Sequence, residues 1–170
     1  MKITMSALIL FCTVTFSYAQ TKTNSNKPLK EQLIGTWTLV SVDNMYPDSS
    51  RVHPYGENPK GMLIFDERSN YAVQIYKAVR PKIVSGDKNV CTPEESKALI
   101  QGSNAHFGKY IVDEAKRTIT FKIDHASFPN WEGANQERTY IYSGNMIKYV
   151  VTSTTQGGKA VVAEVAWRRL

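Results

Sequence analysis

Eight stretches of this chain alternate apolar and polar residues with a period of two, and turn-forming runs punctuate them. They cover residues 34–42, 61–66, 71–78, 107–112, 118–125, 137–142, 146–152 and 160–168. Asp66-Glu67-Arg68-Ser69-Asn70, Asp113-Glu114-Ala115-Lys116, Ser143-Gly144-Asn145 and Gln156-Gly157-Gly158 are hairpin connections by composition. Consecutive strands joined this way form an antiparallel meander, and eight of them can close into an up-and-down barrel with no exposed edge. The expected fold is therefore all-β, an eight-stranded antiparallel barrel.

One segment departs from the pattern. In the excursion over residues 79–106, between the third and fourth strands, Thr92-Pro93-Glu94-Glu95 supplies a helix N-cap, a proline at the first helical position and two acids in the first turn. A short helix running on to Asn104 is expected. An insertion this long in a small barrel is usually functional or a cover, and it reads as a lid or plug.

The chain starts with Lys2, an apolar run through Ala7-Leu8-Ile9-Leu10-Phe11 to Phe16, and then Ser17-Tyr18-Ala19. These are the parts of a secretory signal peptide, with cleavage expected after Ala19; the run is too short and too broken by Thr13 and Thr15 for stable membrane insertion. Residues 1–19 are thus read as a signal peptide, 20–32 as a flexible leader in which Pro28 to Gln32 could form a plugging helical turn, and 33–170 as one barrel domain. A periplasmic or secreted product is expected. Removing the signal leaves Cys91 as the one cysteine, which stays free or pairs between molecules. The formal charge of +6 drops by the single charge of Lys2 and is spread along the chain, without the aromatic and basic interleaving of a nucleic-acid surface. No motif fixes an oligomeric state.

Alternation sorts the strands into faces. Ile119, Phe121, Ile123 and His125 share one parity, which places His125 in phase with the core at the barrel mouth. Trp37 and Leu39 fall together on the first strand, and Val161, Ala163, Val165 and Trp167 on the last. The third strand is ambiguous: either Tyr71, Val73 and Ile75 face inward, or Ala72, Gln74 and Tyr76 do.

Leu33-Ile34-Gly35-Thr36-Trp37 carries a Gly-x-Trp on the first strand. Further matches lie in Val52-His53-Pro54-Tyr55-Gly56, Pro59-Lys60-Gly61-Met62-Leu63-Ile64-Phe65-Asp66, Tyr71-Ala72-Val73-Gln74-Ile75-Tyr76, Ala105-His106-Phe107-Gly108, Phe128-Pro129-Asn130-Trp131 and Ala166-Trp167-Arg168-Arg169. Together these resemble the lipocalin-like domain proteins of bacteria and fungi, a family of largely unassigned function. The resemblance covers residues 33–169 and implies a calycin-type barrel with one internal cavity. It also implies that Trp37, following Gly35, closes one barrel end against an arginine at the end of the last strand; Arg168 or Arg169 is available, and Arg168 is taken as the partner.

The expected partner is a small hydrophobic or amphipathic molecule, with His53, Tyr55, Gln74, Tyr76, His106, His125 and Trp131 as its pocket contacts. An alternative is a cofactor-independent isomerase, cyclase or dehydratase using His106, His125 and Tyr76 as acid-base groups. A second is a cell-envelope interaction module whose barrel interior is filled. No cofactor is expected, because no phosphate loop or dinucleotide fingerprint occurs. No metal is expected either: the three histidines come from separate elements without converging spacing.

Overall fold

The computed structural model describes residues 27–170; the expected signal peptide and its cleavage site lie outside the described residues. In chain order the elements are α1 (Leu29–Leu33), β1 (Gly35–Met45), β2 (Arg51–Val52), β3 (Lys60–Phe65), β4 (Asn70–Tyr76), α2 (Pro93–Gln101), β5 (Ser103–Asp113), β6 (Thr118–Ala126), a 3-10 turn (Pro129–Trp131), β7 (Asn135–Tyr142), β8 (Met146–Gln156) and β9 (Lys159–Arg169). From β3 to β9 each strand pairs antiparallel with the next, and β1 pairs with both β3 and β9. The ring of eight strands is closed, as the alternation predicts, and β2 is an extra two-residue rung on the end of β1.

The helix in the excursion forms for the reasons its sequence gives. Thr92 Oγ1 accepts the Glu95 amide at 3.2 Å, and Glu95 Oε2 accepts the Thr92 amide at 2.9 Å, a reciprocal capping box. The helix stops at Gln101, short of the expected Asn104. Ser103 and Asn104 are drawn into the ladder opposite Tyr76 and Ile75, and tertiary pairing overrides local propensity.

Packing differs along the barrel axis. At one end Leu29 and Leu33 of α1 enter the core beside Trp37, Leu63, Phe65, Ile119, Ile147 and Trp167. Each such burial contributes roughly 1.5–3 kcal/mol. The Trp37 indole N–H donates to the Leu33 carbonyl at 2.9 Å, tying plug to wall. The expected arginine partner of Trp37 is present, but it is Arg169 rather than Arg168. The β1–β9 register sets Arg169 opposite Trp37, whereas Arg168 falls opposite Thr38 and is exposed. The Arg169 guanidinium lies 4.3 Å from the Trp37 ring centroid, donates to the Ile34 carbonyl at 2.9 Å, and also donates to the Gln32 carbonyl. Gly35, at φ +128°, makes room for it: a β-carbon there would sit 3.0 Å from Arg169 Nη1.

Lysine cannot reproduce the planar fork that makes these contacts. Arg169→Lys is therefore expected to lower the unfolding free energy by about 1–2 kcal/mol in urea titrations, and Arg168→Lys by less than about 0.5 kcal/mol. Equal losses from the two changes would refute the assignment. No helix among the described residues is long and apolar enough to cross a membrane.

Candidate functional site

Strands run antiparallel, so the end of β1, the end of β4, the start of β5, the start of β7, the end of β8 and the start of β9 meet at the barrel end opposite α1. There the interior is hollow. A cavity of about 420 Å³ has apolar walls from Val42, Ile75, Val151, Ala163 and Val165, with Pro54, Tyr55 and Trp131 contributed by two loops at the same end. This volume is in the range of ordinary small-molecule sites.

Polar groups enter the cavity from specific strands. Asn44 comes from β1, Asn104 and His106 from β5, Gln136 and Arg138 from β7, and Tyr149 from β8. His106 is 4% exposed; its Nδ1 is 2.7 Å from the Tyr71 hydroxyl, and its ring meets Tyr71, Phe121 and Trp131 edge-on. Burial, reinforced by the nearby Arg138 charge, pushes its pKa down to about 3, so the imidazole is neutral near neutral pH. Burial raises the Tyr71 phenol, which keeps its proton. At the mouth, burial likewise raises Tyr55, opposed by a hydrogen bond from Asn104.

Arg138 is the deepest charge in the site. It is 6% exposed, with its guanidinium carbon 4.5 Å from the Phe121 ring centroid and 4.7 Å from that of Tyr149. Its Nη2 donates to Gln136 Oε1 at 2.7 Å, and its Nε has no partner among the described residues. No carboxylate among the described residues forms an ion pair with it.

Of the seven residues expected to contact a ligand, Tyr55, His106 and Trp131 line this cavity. The other four lie elsewhere. Gln74 and Tyr76 sit on the outer face, because β4 turns Tyr71, Val73 and Ile75 inward; Tyr76 carries the Arg80 guanidinium 4.4 Å from its ring centroid. His125 leaves the core phase at a β-bulge: Phe107 pairs with His125 but Gly108 with Ile123, so Asp124 is the extra residue. The insertion turns the end of β6 over, and His125 is exposed beside Phe107 and 3.3 Å from Glu132. His53 is bound outside the cavity, its Nδ1 2.6 Å from Asp43 Oδ1, in a surface network with Arg51, Glu57 and Glu164. The three acid-base candidates His106, His125 and Tyr76 are therefore not brought together.

The excursion is not a cover in this structure. Of the expected excursion over 79–106, only Asn104 and His106 line the cavity, and both belong to β5; no described lining residue lies between 79 and 103, and α2 has no buried residue. Alternation could have found Arg138, since it shares parity with Gln136, Tyr140 and Tyr142, the less exposed face of β7. A cation in phase with inward-facing aromatics is the signal.

A closed, eight-stranded antiparallel meander plugged at one end and hollow at the other defines the class of lipocalin-like barrels, folds that bind ligands inside. The family model for the lipocalin-like domain matches residues 34–170, and the chain belongs to that family. No curated protein matches it significantly.

Proposed function

We propose that this protein is an exported carrier or sensor that takes one small hydrophobic or amphipathic molecule into the open end of its barrel. The observation that carries the reading is the cavity of about 420 Å³, whose lining combines apolar side chains of Val42, Ile75, Val151, Ala163 and Val165 with polar groups that include the buried His106 and Arg138. Apolar walls supply most of the affinity in such sites, and the polar groups fix orientation. A filled interior, which an interaction module would have, leaves no such volume. Export rests on the leader sequence and its small residues at Ser17 and Ala19.

Titration with a neutral, environment-sensitive naphthylamine dye tests the reading. Blue-shifted, saturable fluorescence is expected, and Ala163→Trp, which fills the cavity from β9, should reduce dye affinity by at least about tenfold while circular dichroism stays unchanged. Dye binding that ignores Ala163→Trp would sink the proposal.

A further inference from the structure

Arg138 carries a full charge in a place where a charge is costly. Moving a guanidinium from water into a barrel core requires compensation by a counter-charge or by complete hydrogen bonding. Here the compensation is partial: two ring faces, one amide oxygen and no carboxylate. Among the described residues the one acceptor, Gln136, is neutral, and the Nε proton has no acceptor. Close by, His106 is neutral, since burial and the arginine both oppose its protonation. Arg138 is thus the one buried full charge among the described cavity-lining residues; the one carboxylate of the lining, Glu137, lies on the exposed face of β7.

From this geometry we infer that the ligand is a monocarboxylate with an apolar body, its carboxylate received by Arg138 and its body lying along Val42, Ile75, Val151, Ala163 and Val165 toward Tyr55 and Trp131. The guanidinium fork matches a carboxylate and forms charge-assisted hydrogen bonds, stronger than those of a neutral hydroxyl. Gln136 then holds the arginine in place, while Phe121 and Tyr149 keep its plane in the slot between them. An apolar body suits the side of the wall formed by Val42, Ile75, Val151, Ala163 and Val165, and no second cation competes for the carboxylate: Arg138 is the one Lys or Arg among the described cavity-lining residues.

The inference rests on the cavity-binding reading above, and one experiment separates the two. Dodecanoate and dodecanol are each used to displace the bound neutral dye from the intact protein. The acid should compete at least about tenfold more tightly than the alcohol in the wild type. In Arg138→Met, which keeps length and apolar packing, the acid should lose that advantage while dye and alcohol still bind. Equal competition by acid and alcohol in the wild type, with the dye bound, would overturn the carboxylate assignment alone. Failure of the dye to bind would overturn the cavity reading with it. Because removing a buried, underpartnered cation can leave a fold as stable or more so, Arg138→Gln serves as a second variant that retains polarity; an acid preference surviving in both variants would also overturn the assignment.

Discussion

Gly108→Ala is expected to destabilise the barrel by at least about 3 kcal/mol, lowering its thermal midpoint by roughly 10 °C. A β-carbon at this position would sit 2.1 Å from the Lys122 carbonyl oxygen and 2.8 Å from the Asp124 amide nitrogen. Both neighbours are backbone, so no side-chain rotation relieves the clash. They also belong to the bulge where Gly108 pairs with Ile123 and Phe107 with His125. For a methyl group to fit, β5 and β6 must separate or the bulge must move. Either change disturbs the inward placement of Ile123, which is almost fully buried. Thermal unfolding followed by circular dichroism reads the effect, and a midpoint within 2–3 °C of wild type, roughly the reach of a surface substitution, would show that the bulge is not fixed by this close approach.

A second large effect is expected from His106 and pH. In the unfolded chain this histidine takes a proton below about pH 6.5; in the barrel, burial and Arg138 hold it neutral down to about pH 3. Between those values the unfolded state binds the additional proton, so stability falls as pH falls. Three kinds of group pack around the ring: the Tyr71 phenol, which stays protonated, the aromatic faces of Phe121 and Trp131, and the permanent cation of Arg138. None offers the imidazolium a counter-charge. Urea unfolding of wild type and His106→Gln over pH 7 to 4 should therefore give curves that converge or cross. The wild type is expected to lose about 3 kcal/mol more than the variant over that interval. Carboxylates whose pKa is lowered by hydrogen bonds, such as Asp66 and Asp113, lose stabilisation at the acid end in both proteins and cancel from the comparison. Parallel curves would show that His106 does not titrate differently in the two states.

The alternation in the sequence was enough to place eight strands and their order, because a closed meander is the simplest way to bury eight half-apolar ribbons. It failed where a strand contains an extra residue. His125 has the parity of Phe121 and Ile123, yet Asp124 bulges and the parity reverses. Nothing in Ile123-Asp124-His125 announces that; the signal lies across the ladder, in Gly108, which leaves the space. Gln74 and Tyr76 failed differently. Both faces of β4 carry apolar and polar groups, and the choice is made by the core, where Tyr71, Val73 and Ile75 pack. Tyr55, His106 and Trp131 do line the cavity: two of them are aromatics of loops at one barrel end, and His106 shares the inward parity of Gly108 and Tyr110 on β5. Arg138 was legible in principle, but only to a reading that treats a charge on an inward face as information rather than as noise.

The plug has a consequence for how the molecule can be attached to other things. Leu29 enters the core beside Trp37, and the Leu170 amide donates to the Thr36 carbonyl at 3.0 Å, so both ends of the described chain leave from the sealed base. A tether at either terminus, whether a natural linker or an engineered handle on a sensor chip, would stand the barrel upright with its mouth facing away from the support. Surface-bound and free protein should then present the same entrance to whatever diffuses toward it.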